Sequence, residues 1–385
     1  MGGCPPDGNA APSGYDADVV DQGGEALIEA LALVAPGTPL RDGLDRILQA
    51  KRGALVVIGD DPVVLSICTG GFLLDAEFSP QRISELAKMD GAIILAPDAS
   101  RIARANVHLV PKASIPTSET GTRHRTAERV ARSIDVPVVT VSEAMATVTI
   151  FRHARKHTLQ RTGRLIDRAA QAISTVQRFK TRFDFALASL STLEVEDAVS
   201  VRDVVAVLQP GETVVRFAEE IDGYLVELGE DGRLIHLQME ELGAGLEEAL
   251  RLVVMDYVAT PSGGRHKSTG RVELTARADT ALAALHGLSY EQLLDPVPVA
   301  TALGLGSGSL ESGVEARGYR LLHRLPRVSD LIIDRIVARF DSLPRILQAS
   351  LGELDEVDGV GEAKARSVKN GLARLVEASV LERFD

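Results

Sequence analysis

The stretch SETGTRHRTAERVARSI, Ser118–Ile134, places apolar residues at Ala127, Val130, Ala131 and Ile134, the i, i+3, i+4, i+7 spacing of one helical face. This spacing predicts an amphipathic helix beginning near Thr122 to Thr126. Around it the pattern changes. The runs ALVVIG, VVLSIC, AIILA, NVHLV, VPVVTV and ATVTIF, all between Ala54 and Phe151, are short and rich in β-branched residues, and they read as strands alternating with helical stretches such as QRISELAKM. Helices set among strands in this way make residues 25–151 an α/β domain with a mixed central sheet.

Working outward, ALIEALALVAPGTPLRDGLDRILQAKRG reads as two amphipathic helices separated by a Pro/Gly turn, preceded by a disordered tail over residues 1–24. Beyond Phe151 the strand signals largely vanish. Residues 152–313 read as an all-α middle domain, because TLQRTGRLIDRAAQAISTVQRFK and MEELGAGLEEALRLVVMDYV carry helical periodicity. Its opening, Arg152 to Arg182, is rich in Arg and Lys and reads as a solvated or subunit-packing face, with a DNA-facing surface as the alternative. ATPSGGRHKSTGR has a Gly-Lys-Ser flavour without the G-x-x-x-x-G-K-[ST] spacing, so it reads as a flexible loop rather than a phosphate loop. GLGSGSLESG closes the middle domain at Gly313 and introduces a last domain over 314–385.

The 385 residues, 45% hydrophobic and 25% charged, give room for two or three soluble globular domains. A net charge of −12 argues against indiscriminate nucleic-acid binding by the whole surface but permits a local contact. Two cysteines, Cys4 and Cys68, offer neither a disulfide framework nor a cysteine zinc site. The N-terminus lacks the basic segment and apolar core of a signal peptide, and no apolar run approaches the ~18 residues of a membrane span. The expected location is cytoplasmic, without membrane association.

Arg123, His124 and Arg125 crowd positive charge at a helix start, the end that is already effectively positive. Each added cation there is unfavourable by roughly 0.3–1 kcal/mol unless an anion is bound, so the cluster points to an anion site. In MDGAIILAP, Met89–Pro97, Asp90 and Gly91 stand between a helix and a buried strand, where an acid can hold a metal or ribose hydroxyls and Gly lets a ligand approach the main chain; an ordinary helix-stop turn is the other reading. Near the C-terminus, LDEVDGVGEAKARSVKNGLARL, Leu354–Leu375, pairs a short helix with a longer one across Gly359-Val360-Gly361. It reads as a helix-hairpin-helix whose turn brings N–H groups against a DNA phosphate, with Lys364 and Lys369 adding backbone contacts. Upstream, the segment from Leu325 to Ser350 has similar helix lengths, with Ser329-Asp330-Leu331 in place of the glycine hairpin, and reads as a degenerate partner.

The motifs MDGAIIL, NVHLVP and SETGTRHRTAERVA, with the terminal helix-hairpin-helix, resemble the DNA integrity scanning (DisA) family of diadenylate cyclases, in the same domain order from about Gly24 onward. The resemblance implies joining two ATP into cyclic di-AMP and two pyrophosphates with Mg²⁺ or Mn²⁺. It implies that Asp90 fixes the ribose and supports metal-assisted activation of the 3′-hydroxyl, and that Gly91 and Ala92 shape the nucleotide site. It further implies that Leu109 packs on adenine, that Thr122, Arg123, His124, Arg125 and Thr126 hold the triphosphate, and that Ser142 adds a phosphate contact. A homo-octamer is implied, with cyclase domains face to face. Branched DNA such as Holliday junctions is the implied ligand of the last domain, suppressing activity and making the protein nucleoid-associated. A nucleotide-binding DNA repair scaffold without cyclase activity is the alternative. A ligase-like enzyme lacks support, since no Lys-x-Asp-Gly motif is found.

Overall fold

The computed structural model describes residues 17–259, 271–306 and 308–381. Most of the expected tail and the 260–270 loop therefore lie outside the described residues. The chain divides into two compact units, Met1–Ala169 with Asp222–His236, and Ala170–Ile221 with Leu237–Asp385. The first of these divisions follows Ala169, and the described residues from 314 onward share a unit with the helices before them.

The first unit opens with α1 (Ala17–Leu33) and α2 (Pro39–Gln49), followed by β1 (Ala54–Ile58), α3 (Pro62–Ser66), β2 (Cys68–Thr69) and β3 (Phe72–Glu77). Next come α4 (Pro80–Leu86), β4 (Ala92–Leu95), β5 (Arg101–Leu109), α5 (Thr122–Ser133), β6 (Val138–Ser142), β7 (Thr147–Arg152) and β8 (Arg155–Thr158). One eight-stranded sheet runs β2-β5-β4-β1-β6-β7-β8, with β3 also paired to β5. β1 and β4 are parallel and the remaining pairings are antiparallel, the mixed sheet expected from the alternation of elements.

β1 is central and buried on both faces, which is why ALVVI has no polar alternation. Ala54, Val56 and Ile58 pack with Leu31 of α1, Val34 just after it, Leu44 and Ile47 of α2 and Ile83 of α4. Leu55 and Val57 pack on the other face with Ala127, Val130 and Ala131 of α5. The sheet is therefore sandwiched between helices, with α5 fixed on the second face by the apolar stripe that the sequence displays and Val64 of α3 packed beside it.

Three details differ from the sequence reading. VVLSIC is mostly the helix α3, because Pro62 sits at its first turn and Asp61 accepts the N–H groups of Val63 and Val64 at 2.8 and 2.9 Å. β3 and β8 escape notice because their side chains are largely exposed, so neither shows an apolar alternation. Residues 17–24, expected within the tail, belong to α1.

α6 (Thr162–Val195), α7 (Val201–Leu228) and α8 (Arg233–Gly243) contribute residues to both units. The second unit continues with α9 (Leu246–Tyr257), α10 (Arg271–His286), α11 (Tyr290–Leu294), α12 (Pro296–Ala302), α13 (Tyr319–His323), α14 (Asp330–Phe340), α15 (Leu343–Gln348), α16 (Leu351–Asp355) and α17 (Gly361–Leu381). This is the helical region the periodicity indicates. None of the described helices is long and apolar enough to cross a membrane.

A buried polar network ties this unit together. Asp256, 0% exposed near the end of α9, accepts the N–H groups of Gly318, Tyr319 and Arg320 at 2.8, 2.7 and 3.0 Å and so caps the start of α13. Reciprocally, Arg317 donates to the carbonyls of Met255, Asp256 and Val258 at the end of α9. Arg320 pairs with Glu194 of α6, which also accepts the Tyr257 hydroxyl at 2.7 Å. Burial, followed by the charge of Glu194, pushes the Asp256 carboxyl up to about 7 against the opposing N–H bonds and Arg320. Burial likewise raises the Tyr257 hydroxyl far above its usual range.

Candidate functional site

α5 begins as its sequence requires, at Thr122, but with Gly121 as its cap and no side chain accepting the first N–H groups. There is also no acid in the first turn. This is an unsatisfied, positively polarised helix start. A cleft of about 530 Å³ opens in front of it, lined by Leu55, Asp90, Gly91, Ala92, Asn106, Val107, His108, Leu109, Thr122, Arg123 and Thr126. Parallel β1 and β4 both begin at this end of the sheet, and β5 ends here, so segments distant in sequence converge.

Arg123 Nη2 donates to Asp90 Oδ1 at 2.5 Å, joining the Asp-Gly-Ala and Arg-His-Arg motifs across the cleft. Asp90 is 95% exposed, so the pair is worth at most about 1 kcal/mol. It is therefore a pairing that a cation on Asp90 or a phosphate on Arg123 can replace. A methyl group at Gly53 would collide with the Arg123 guanidinium, so Gly53 leaves the space in which this side chain lies. Sequence reading missed Gly53, Leu55, Asn106, Val107 and His108. Asn106, Val107 and His108 sit inside the NVHLVP run already singled out, which was the available signal.

Helical geometry splits the Arg-His-Arg cluster. Successive residues turn by about 100° around the axis, so Thr122, Arg123 and Thr126 share the cleft side while His124 and Arg125 point elsewhere. His124 lies edge-on to Phe151, 6.2 Å between ring centroids, with its Nε2 buried and unpartnered. Arg125 is exposed and outside the cleft lining. Neither side chain is part of the cleft wall as the sequence reading expected. Ser142 ends β6 at the same end of the sheet, yet its Oγ accepts the Met145 N–H at 3.3 Å and closes the turn into β7. Leu109 does line the cleft, although at 6% exposure it is chiefly a core residue.

The segment leading into α5 is fastened to the helix itself. Glu128, buried on α5, accepts from Thr117 Oγ1 at 2.5 Å and the Ser118 N–H at 3.0 Å, and pairs with Arg132 at 2.8 Å. Burial alone would raise this carboxyl, but the Thr117 and Ser118 bonds and Arg132 outweigh it and hold Glu128 below its usual range. Arg129 and Arg132 donate to the carbonyls of Ile115 and Pro116.

Among the described residues no three His, Cys, Asp or Glu side chains gather as a metal site. Asp90 is the single carboxylate of the cleft lining. One carboxylate fits Mg²⁺ or Mn²⁺ where phosphate oxygens and waters complete the shell, which is how Mg²⁺ is commonly held with nucleotides.

In the second unit, Gly359 between α16 and α17 has φ +80°, and Gly361, which opens α17, has φ +61°. A side chain at Gly359 would meet both that left-handed backbone and the Arg335 guanidinium, which donates to Asp358 O at 2.8 Å. Val360 is 2% exposed and its N–H is bonded to Val357 O, so it packs the turn rather than facing a ligand. Lys364 donates to Gly359 O at 3.1 Å. Lys369 donates to Leu347 O and Ala349 O at 2.9 and 2.6 Å, at the end of α15.

A constant sequence offset relates Leu322, Leu325 and Arg327 to Leu354, Val357 and Gly359, and Arg327 also has positive φ, +65°. The first turn is therefore Arg327-Val328-Ser329, two residues upstream of the Ser329-Asp330-Leu331 expected from sequence. Of the basic run after Arg152, Arg152 pairs with Asp135, Arg168 lies over Tyr224 and Lys180 pairs with Asp184.

Residues 41–156 match the family described as DisA bacterial checkpoint controller nucleotide-binding, and residues 159–311 the family described as DisA bacterial checkpoint controller linker region. The DNA integrity scanning protein DisA of Frankia alni is 48% identical over 356 residues, 92% of this chain and 96% of that protein. The same-named protein of Streptomyces griseus subsp. griseus is 50% identical over 366 residues, 94% and 95% of the two chains. The solved structure of a double mutant of DacA from Staphylococcus aureus is 20% identical with a TM-score of 0.24, covering 37% of this chain and 89% of that one.

Proposed function

The chain belongs to the DNA integrity scanning protein DisA family, and from this premise we propose that it is a diadenylate cyclase, condensing two ATP into cyclic di-AMP and two pyrophosphates. The observation that carries this reading is the convergence of Asp90 and Arg123 in one cleft before the uncapped start of α5. Unpaired first-turn N–H groups, Arg123 and the Thr122 and Thr126 hydroxyls suit a triphosphate. Leu109, with the apolar side chains of Leu55 and Val107, supplies a surface for the base. Asp90 would hold Mg²⁺ or Mn²⁺ together with phosphate oxygens and is the group proposed to orient and deprotonate a ribose 3′-hydroxyl.

The reaction is an in-line attack of one ribose 3′-hydroxyl on the α-phosphate of a second ATP, with pyrophosphate leaving. Catalysis is then mostly positioning and charge neutralisation. A cation held there would offset charge on the phosphates, while Arg123 and the helix start stabilise the departing pyrophosphate. Each ATP must serve once as nucleophile and once as electrophile, so two cyclase domains of different subunits must face each other. Assembly as an octamer meets that need. The two related turns of the second unit, centred on Val328 and Val360, are proposed as a paired helix-hairpin-helix that grips branched DNA through the N–H groups opening α14 and α17. Occupancy by DNA is proposed to suppress synthesis.

The test is to incubate the assembled protein with ATP and Mg²⁺ or Mn²⁺ and to look for cyclic di-AMP by mass. Product that appears with both pyrophosphates supports the cyclase. Its absence from an oligomer that binds ATP and DNA leaves the DNA repair scaffold as the better reading.

A further inference from the structure

Asp90 carries an exposed carboxylate on the turn before β4, so the main chain beneath it sets its direction more than side-chain packing does. That main chain rests on Asn106. A methyl group at Gly91 would stand 2.5 Å from Asn106 Cα and 2.7 Å from its Oδ1. Gly91 is thus explained by its contact with β5, where the sequence reading reserved it for a ligand. Asn106 itself has φ +53°, in the left-handed region. Asn is among the few residues besides Gly that enter that region readily.

The local pairing explains why such a residue is needed. β4 and β5 shift register between Ala92 and Ile94, so β5 bulges where Asn106 lies, and a bulge re-aims the neighbouring strand end. The bulge is clamped from the other side by Gly71, where a methyl group would stand 2.6 Å from Ala105 O and 3.0 Å from Asn106 O. Two glycines therefore grip one left-handed asparagine, and Asp90 is the residue next to the grip.

We propose that Asn106 is a positioning residue for the cyclisation: its left-handed backbone holds the bulge on which Gly91 sits and thereby aims the Asp90 carboxylate across the cleft toward Arg123. This rests on the cyclase reading above. The backbone conformation, more than the side-chain amide, carries the role. Asn106 also lines the cleft, and a direct amide contact with nucleotide is the rival explanation that the test separates.

Full-length Asn106→Gly, Asn106→Ala and Asn106→Val are compared with wild type for kcat and KM of cyclic di-AMP formation. Calorimetry on the same proteins measures the gain in ATP affinity that Mn²⁺ confers, with Asp90→Asn as the reference for loss of that gain. Glycine keeps the left-handed turn and removes the amide; valine, β-branched, opposes the turn. A misaimed catalytic group can cost on the order of 100-fold, so Asn106→Val should lose about that much kcat, Asn106→Ala roughly tenfold, and Asn106→Gly at most about threefold. KM should rise by no more than the Mn²⁺-dependent affinity gain that each variant loses, because α5 still holds the triphosphate. The Mn²⁺-dependent gain should follow the same order, and Asn106→Val should fall to the level of Asp90→Asn.

Equal impairment in the glycine and valine variants would assign the role to the amide and overturn the proposal, as would full activity in the valine variant. Should Asn106→Val fail to melt cooperatively, the glycine-to-alanine ratio decides in the same way. If wild type forms no cyclic di-AMP, the cyclase reading falls, while the order of Mn²⁺-dependent affinities still decides whether Asn106 aims Asp90.

Discussion

Asp90 lies 95% exposed at the mouth of the cleft with Arg123 as its partner, whereas Asp256 is wholly buried and accepts three main-chain N–H groups at the start of α13. One carboxylate is left in water on a turn that a clamped bulge holds in place. The other is withdrawn from water and tied to two helices through a network that includes Arg317, Arg320 and Glu194. An exposed charge on a fixed backbone costs little to keep and can exchange partners, which suits chemistry. A buried charge exchanges nothing, because losing any partner leaves an unsatisfied group in the interior.

The largest expected effect separates the two directly. If Asp90 serves the proposed cyclisation, Asp90→Asn should lower cyclic di-AMP formation by at least about 1,000-fold, since a neutral amide could neither take a 3′-hydroxyl proton nor hold a cation. The unfolding midpoint should barely move, because an exposed pair contributes at most about 1 kcal/mol. Activity assay and denaturant melt on one preparation check both halves. Near-normal synthesis in this variant would remove Asp90 from the chemistry.

Asp256→Ala should behave in the opposite sense, losing about 3–5 kcal/mol of stability in urea unfolding while the folded fraction keeps its ATP affinity. The pH dependence carries a sign as well. The Asp256 carboxyl keeps its proton up to about 7 in the folded protein against 3.8 in the unfolded chain, so between those values the folded state binds the extra proton. Its contribution to stability is therefore largest below about 4 and declines as the pH rises to about 7. Asp256→Asn should remove that part of the slope, and an identical slope in wild type and variant would contradict the buried-charge assignment.

The same contrast explains what the sequence disclosed. The α/β alternation, the helix of Ala127, Val130, Ala131 and Ile134, and the helical middle segment were legible because burial writes a period into the chain. Arg123 was legible because a cation conflicts with a plain helix start, whereas Asp90-Gly91 reads equally well as a plain turn and was singled out by the family resemblance. β3 and β8 were not, since exposed strands carry no apolar alternation. The fate of His124 and Arg125 was hidden by helical rotation, which places adjacent residues on different sides. Asn106 was hidden because a left-handed bulge depends on register between β4 and β5, a pairing no local window contains. The Asp256 network was equally silent: its partners at Glu194 and Arg320 are far apart in the chain.

Glu128 stands between the two extremes, buried like Asp256 but serving the cleft by fastening Thr117 and Ser118 ahead of α5. Glu128→Gln should cost about 1–3 kcal/mol of stability by weakening those bonds and the Arg132 pair. It should also weaken ATP binding severalfold while kcat at saturation changes less. Because this carboxyl is held below its usual value of 4.5, its contribution is lost as the pH falls through the acid range, the reverse of Asp256. Unchanged ATP affinity in a measurably destabilised variant would separate the loop from the site.

The smallest effects test whether the exposed-versus-engaged distinction extends to the cations of the terminal turn. Lys369 is half-buried and donates to Leu347 O and Ala349 O, closing the end of α15, whereas Lys364 is exposed and bonds the turn carbonyl of Gly359. Lys369→Met should therefore cost about 1–2 kcal/mol of stability, because two carbonyls at a helix end lose a charged donor. Lys364→Met should leave the melt unchanged and instead weaken junction binding, reducing the salt dependence of the affinity by about one ion. A greater loss of DNA affinity in Lys369→Met than in Lys364→Met, at equal folded fraction, would mean that an engaged cation can leave its carbonyls for a phosphate and that burial does not separate structural from functional charge in this unit.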